Sequence, residues 1–495
     1  MNKFTVFEDW LRNNGALFMK LELRSYEQDD EGDQLTNDTS AEEKKQPNAD
    51  YDEAIISLAK DDDDENEMRG VHAIEDIAPN SVCVEVPRKC LITVEMGKAT
   101  DIGELILKSD VDLDAPKHVF LMIFLLLDRK DPESFFKPYY DILPQTLRNM
   151  PIFWDDEELS CLEGSHLLHQ IDDRNAAIEE DYIAICSIAP RLAEIATLEE
   201  FKWARMCVCS RNFGLLINGV RTSALVPHAD MLNHYRPRET KWTFDNERQA
   251  FTITTLRTIR AGSQIYDSYG QKCNHRFLLN YGFAIENNCE SDGFCPNETP
   301  IELRIDPNDP TYESKTEFWC REGASAVKRV RVCISNNDNT KTLLSMLRVV
   351  AADKEDLTTI TSSGPYMYRT SKDIRFALSV RNEREALQIL LGVVKEALAA
   401  YPTTIEEDTE AMKGNTLPAF SNKRHARIQV RGEKEVLHHF IDFAESGLSV
   451  IDLNEEEYEE EISKIRETKH SCIAQYCTVV GTILREGRSI EIDNN

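Results

Sequence analysis

The chain has no long hydrophobic run. The longest, Val119 to Leu127, is nine residues, well short of the roughly 20 that a bilayer-crossing helix needs. It reads as a buried helix, and no membrane span is expected. Met1 to Trp10 has no apolar stretch of the leader-peptide kind and carries Glu8 and Asp9. Positive charge is scarce: 57 Lys and Arg stand against 88 Asp and Glu, a net charge of −31. Binding to a phosphate backbone needs a basic patch, so nucleic acid is not an expected partner. The thirteen cysteines follow no framework spacing and read as free thiols in a reducing compartment. No internal repeat, Gly-rich phosphate loop or Ser-His-Asp order stands out.

What is present describes a multidomain protein. A length of 495 residues exceeds what one core sustains, so two or more domains are expected. Hydrophobic residues at 41% and charged residues at 29% are ordinary for a soluble chain. Charge is unevenly placed: Glu27 to Glu67 holds seventeen acids against three lysines. Such a stretch cannot bury enough apolar surface to fold by itself and reads as a solvated, disordered insert, alternatively as a lure for basic substrates.

Phe4, Phe7, Trp10 and Leu11 recur at helical spacing before Asn14-Gly15, and Leu21 to Ser25 alternates like a strand. Tyr51 to Lys60 is a candidate helix inside the acidic insert. Arg69 to Ala73 and Ser81 to Pro87 read as two strands joined by a turn at Pro79-Asn80. Lys117 to Arg129, Ser165 to Leu192 and Thr197 to Val208 are helical, and Thr197 with Glu200 has capping-box spacing. Short strands follow at Ala224–Val226, Trp242–Phe244 and Phe251–Thr254. Cys289 to Pro310 is rich in Asn, Pro, Asp and Gly and reads as a boundary, beyond which helical patterns dominate.

Four short pieces concentrate polar and aromatic groups. They are Ser210-Arg211-Asn212-Phe213, Leu225-Val226-Pro227-His228-Ala229-Asp230-Met231-Leu232-Asn233-His234, Gln264-Ile265-Tyr266-Asp267-Ser268-Tyr269-Gly270, and Leu279-Asn280-Tyr281-Gly282-Phe283. His228, Asp230, Asn233 and His234 are close enough in sequence to point into one cavity. Their order and spacing resemble the SET-domain methyltransferases, in the branch of the Rubisco large-subunit lysine methyltransferase. Tyr401 to Asp408 and Arg431 to Leu437 carry the likeness into the second half.

The resemblance implies an α+β architecture. Residues 1–290 are expected to form a β-rich SET domain with an acidic disordered insert at 27–67 and a helical insert at 117–208. Residues 300–495 are expected to form an all-α substrate-binding domain. The strands at 69–73 and 81–87 match the family's opening hairpin.

It also implies transfer of a methyl group from S-adenosylmethionine (SAM) to a lysine of a protein substrate. That chemistry is an in-line displacement that asks for alignment, a neutral amine and a dry channel, with no metal and no protein nucleophile. By the likeness, Tyr269 is the catalytic residue, and Ser210, Phe213, Asp230 and Tyr281 border the lysine channel. Asn233, His234, Arg211 and Phe283 hold SAM, with Glu67 and Arg69 at its methionine end, where the family's Gly-x-Gly is reduced to Arg69-Gly70.

Three alternatives stand beside this reading. His228, Asp230 and His234 are ligand types for a divalent metal, but no further His or Cys falls nearby at familiar spacing. A SET-like binding module without turnover is the second. The third is a protein-histidine methyltransferase, since the actin-histidine branch shares both domains. That branch has asparagine at the position of Phe213 and tryptophan at that of Ala229, whereas Phe213 offers an apolar wall to a lysine stem. A monomer in the cytoplasm or nucleus is expected, or in a plastid if a transit peptide is missing.

Deleting Gln28 to Glu65 is expected to leave SAM affinity within about twofold, because a segment that buries little apolar surface makes little ordered contact. Calorimetric titration of both forms checks this, and a large loss on deletion would make the insert part of the cofactor cradle.

Overall fold

Alternation at the start of the chain builds the first paired strands. A computed structural model of the protein describes residues 2–18, 20–27, 67–320, 327–335, 337–362, 374, 376–413 and 417–486. Most of the acidic insert and the candidate helix at Tyr51–Lys60 lie outside the described residues. In chain order the strands are β1 (Leu21–Glu27), β2 (Glu67–Ala73), β3 (Val82–Pro87), β4 (Ile92–Thr93), β5 (Asn212–Ile217), β6 (Val220–Leu225), β7 (Asn233–His234), β8 (Thr240–Asp245), β9 (Ala250–Thr255), β10 (Tyr266–Asp267), β11 (Glu298–Arg304) and β12 (Val327–Cys333). They form small sheets ordered β1-β2, β3-β9-β8, β4-β6-β5, β10-β7 and β11-β12, and with the helices give an α+β fold.

The opening hairpin expected from Arg69–Ala73 and Ser81–Pro87 is not made. β2 pairs with β1, from Leu21↔Ala73 to Glu27↔Glu67, so the acidic insert joins the tip of that ribbon. β3 pairs instead with β9. The turn between them, with Asn80 at φ +59°, carries the chain onto the other sheet. There Val84 and Val86 are buried together with Phe251 and Ile253.

The helical insert folds close to its reading. Its principal helices are Pro116–Asp128, His166–Ile188 and Leu198–Arg211. The first contains the nine-residue apolar run, with seven of its residues buried. The third begins at a capping box, where Thr197 Oγ1 accepts from the Glu200 N–H at 3.2 Å and Glu200 Oε2 accepts from the Thr197 N–H at 2.8 Å. It runs three residues further than its apolar pattern and passes directly into β5.

The second half is mainly helical but not all-α. β11 and β12 open it as an antiparallel ribbon, with Ile301 and Leu303 paired across to Val330 and Lys328 on the buried face. The period-two alternation of Val330 and Val332 is short and flanked by charge, which hid it among helical patterns. Helices Asn337–Val350, Val380–Ala399, Asn422–Ile451 and Ser471–Glu486 pack behind this ribbon. The 30-residue helix Asn422–Ile451 also reaches the first half. Asn422 donates to the Arg148 carbonyl at 2.9 Å, and His425 Nδ1 accepts from the Ala284 N–H at 3.1 Å. One buried apolar core includes residues of both halves.

The cysteines are not all free. Cys289 and Cys295 are bonded, with Cα atoms 4.3 Å apart. A tight turn brings them together, in which the Gly293 N–H donates to the Glu290 carbonyl and the Glu290 N–H to the Phe294 carbonyl. The other eleven are thiols.

Gly282 ends the helix Asn274–Tyr281 in the left-handed conformation, at φ +79°. A Cβ there would meet Asn149 Nδ2 at 2.1 Å. Gly282→Ala is therefore expected to cost at least about 1–2 kcal/mol, the usual penalty for a left-handed L-residue. Chemical denaturation measures it, and an unchanged midpoint would show that the turn relaxes freely.

Candidate functional site

The local fold delivers the four motifs to one place. Helix Leu198–Arg211 brings Ser210 and Arg211 in its last turn. After β6 the chain turns sharply, with His228 at φ +76°. A single 3-10 turn, Ala229–Met231, then carries Asp230 inward. β7 lies parallel to β10, with Asn233 opposite Tyr266 and His234 opposite Asp267, so stretches about thirty residues apart become neighbours. Gly282 turns Phe283 back beside Tyr281, their rings 6.2 Å apart.

Here lies a cavity of about 20 Å³, room for one or two water-sized groups in line. Ser210, Arg211, Asp230, Tyr269, Tyr281 and Phe283 line it, together with Leu147, Asn149 and Met150. Tyr269 and Tyr281 stack at 4.8 Å. The Tyr269 hydroxyl donates to the Leu232 carbonyl at 2.9 Å, which spends its proton and leaves oxygen lone pairs as acceptors. Burial pushes the Tyr269 phenol well up and the Tyr281 phenol up to about 12, so both are neutral at physiological pH.

The pocket wall holds a buried charged pair. Arg211 Nη1 lies 3.4 Å from Asp230 Oδ2 and donates to the Asp230 carbonyl at 3.1 Å, while the Tyr139 hydroxyl donates to Oδ2 at 2.7 Å. Burial raises the Asp230 carboxyl above its ordinary range, and Arg211 opposes that rise. Asp230 Oδ1, Arg211 Nε and Asn149 Oδ1 are buried and meet no partner among the described residues. Buried polar groups left this way cost free energy unless something pairs with them. These three mark where a bound molecule would be held.

Asn233 and His234 stand behind this wall. Nδ2 of Asn233 donates to the Arg69 carbonyl at 2.9 Å and to Gln264 Oε1 at 2.7 Å. That amide ties β2 to the β7–β10 pair. His234 Nδ1 accepts from the Tyr269 N–H at 3.0 Å. Burial first, and then Arg236 and Lys272, pull His234 down to about 3. The ring is thus neutral, with its proton on Nε2, which meets no partner among the described residues. Arg69 is buried and donates to the Ile142 carbonyl. Glu67 lies in β2 opposite Glu27, its side chain outside the described residues.

Two expectations are corrected. Phe213 does not line the pocket: its ring packs edge-on against Trp242 at 5.3 Å and Phe251 at 5.0 Å. One residue past Arg211, β5 has begun, and its alternation turns Phe213 toward the neighbouring strands β8 and β9. His228, Asp230 and His234 do not converge either. His228 packs on Phe18 with ring centres 4.2 Å apart and faces Glu8 at 3.7 Å, whereas Asp230 faces Arg211 and His234 faces Tyr269. No shared metal position follows from them.

Sequence reasoning missed Leu147, Asn149, Met150, Tyr139 and Gln264. The first three lie in an irregular stretch with no periodic signal, and Tyr139 lies in a four-residue helix. Gln264 opened one of the four motifs but was given no role there.

Comparison with known proteins places these elements. The SET domain family matches residues 68–270, and the Rubisco LSMT substrate-binding family matches residues 306–437. Actin-histidine N-methyltransferase of Mus musculus is 30% identical over 381 residues, and that of Homo sapiens 29%. The match covers 74% of this chain and 62% of the relative's length in each case. Among solved structures, the SET domain of LSMT bound to lysine and AdoHcy has a TM-score of 0.68 at 23% identity, covering 95% of this chain and 97% of that one. Rubisco LSMT bound to AdoMet has a TM-score of 0.67 at 22% identity, covering 94% and 96%.

The lowered His234 sets a pH dependence. The unfolded ring takes up a proton near pH 6.5, the folded one only near 3. Stability present above the unfolded value is therefore lost as pH falls from about 6.5 toward 3. Melting temperature should fall through this range in the native chain and less steeply in His234→Gln. Parallel curves would show that His234 is not held neutral.

Proposed function

This chain belongs to the SET-domain proteins that carry a Rubisco LSMT substrate-binding domain, and on that premise we propose that it is a SAM-dependent protein methyltransferase acting on a lysine side chain. SAM supplies an electrophilic methyl group. The residues fit such a ligand. His234 Nε2 and Arg211 Nε are buried donors without partners among the described residues, suited to acceptor atoms and a carboxylate. Phe283 is buried and offers its ring for stacking.

The target reading rests on the lining of the pocket. The aromatic rings of Tyr269 and Tyr281 with the apolar side chains of Leu147 and Met150 suit the apolar stem of a lysine. The lone pairs of the Tyr269 hydroxyl accept from an amine N–H and so turn the nitrogen lone pair along the channel. Scarcity of water disfavours the ammonium form of the incoming amine, while Arg211 and Asp230 line the pocket as a pair whose charges offset each other. Phe213 plays no part in this argument, since it packs elsewhere.

Histidine is the second reading. The buried Asn149 Oδ1 offers an imidazole N–H a partner, and the actin-histidine enzymes are relatives at about 30% identity.

Labelled SAM, the full chain and a lysate, followed by mass spectrometry of the product, decide between the two. Methyl-lysine is expected. Methyl-histidine alone would overturn the target while leaving the enzyme reading intact. Tyr269→Phe is expected to lower turnover on the order of 10²–10³-fold, as loss of one aligned polar group in a dry site does, with SAM binding retained by calorimetry. Full turnover in that variant would remove Tyr269 from the aligning role.

A further inference from the structure

Three residues past Gly270 begins a second cluster of reactive side chains. Cys273 caps the helix Asn274–Tyr281, His275 sits in its first turn, and Glu298 opens β11. Cys273 and His275 are buried, at 4% and 6% exposure. Cys273 Sγ lies 3.4 Å from His275 Nε2, and Glu298 Oε1 lies 3.8 Å from the same nitrogen. The three candidate ligand atoms all fall within 4.8 Å of one another.

One ring nitrogen cannot serve both neighbours. If Nε2 carries a proton, it can donate to the Cys273 sulfur at 3.4 Å but faces the carboxylate from beyond hydrogen-bonding distance. If Nε2 is bare, it accepts from the thiol and presents its lone pair to a carboxylate. A cation at the centre satisfies all three. The arrangement is also not that of a nucleophile with its base, because a base is oriented through its second ring nitrogen, whereas both contacts here use the same one.

We propose that Cys273, His275 and Glu298 hold a structural zinc ion. Zinc–ligand distances of about 2.3 Å to sulfur and about 2.0–2.2 Å to nitrogen and oxygen, in tetrahedral array, put neighbouring ligand atoms about 3.3–3.6 Å apart. The observed 3.4 and 3.8 Å lie near those spacings. A thiolate with an imidazole selects zinc over magnesium or calcium.

A water completes the coordination, as the fourth ligand of a three-residue site. Arg331 Nη1, 3.6 Å from Glu298 Oε1 at 51% exposure, must turn into solvent. On binding, the ion takes the place of the Cys273 thiol proton, which leaves to water.

The ion pins the start of the helix that carries Tyr281 to the first strand of the second half. It takes no part in methyl transfer, so the inference stands independently of the proposed reaction.

The test uses the full chain, stripped with a chelator and titrated with Zn²⁺ against a chromophoric competitor. Co²⁺ is then added to reveal a thiolate-to-metal charge-transfer band. One zinc per chain is expected. Loss of an outer-shell partner already weakens metal sites by about 10–100-fold, so Cys273→Ser and Glu298→Gln should each weaken zinc by at least about 100-fold. Cys472→Ser is the control, since Cys472 lies 3.1 Å from His470 Nδ1 and 3.5 Å from His439 Nε2; it should bind as the native chain does. Glu298→Gln preserves shape and decides the matter alone if Cys273→Ser fails to fold. Native chain without tight zinc, zinc retained in Glu298→Gln, or zinc lost in Cys472→Ser would each overturn the proposal.

Discussion

The site depends on a parallel pairing only two residues long. β7 and β10 align Asn233 with Tyr266 and His234 with Asp267, across an intervening chain that forms β8 and β9. Two hydrogen-bonded residue pairs are a weak tie, so side chains reinforce it. The Asn233 amide reaches the Arg69 carbonyl and Gln264, and the His234 ring receives the Tyr269 N–H. Gly70 makes room for this clamp: a Cβ there would meet Gln264 Oε1 at 2.5 Å. With these contacts made, Tyr269 cannot move without moving the strand behind it.

Burial is the second constraint, and it acts on charge. Arg211 and Asp230 are withdrawn from water, and their mutual contact offsets part of a desolvation cost of several kcal/mol per ion. Removing either would leave the other buried and unpaired. The same dryness keeps the phenols of Tyr269 and Tyr281 neutral and His234 unprotonated.

The second half supports the pocket from outside. Helix Asn422–Ile451 holds the Arg148 carbonyl through Asn422, next to Asn149 in the pocket wall, and Arg424 pairs with Glu286 at 3.0 Å, just beyond Phe283. The second half thus reaches residues beside the pocket on two sides.

The SET-like core, the helical insert and the helical second half were legible from residue patterns, because local periodicity and caps such as Thr197–Glu200 act within a few residues. Tyr269, Tyr281, Phe283, Ser210, Arg211 and Asp230 were picked out by the resemblance of four motifs to a known family, not by periodicity, and the fold brings them to one pocket. Tertiary structure alone decided matters that depend on distant partners. β3 pairs with β9, burying Val84 and Val86 with Phe251 and Ile253, while β2 is taken by β1. Phe213 left the pocket because strand alternation turns its ring toward Trp242. Asn149 and Met150 entered it from an irregular stretch that has no period to read. Cys289 met Cys295 through a turn, and Cys273 and His275 at a helix start met Glu298 at the start of β11. Apart from the Cys289–Cys295 turn, whose partners are 6 residues apart, the free energy comes from contacts between segments far apart in sequence, and no local pattern encodes which distant surface a side chain will find.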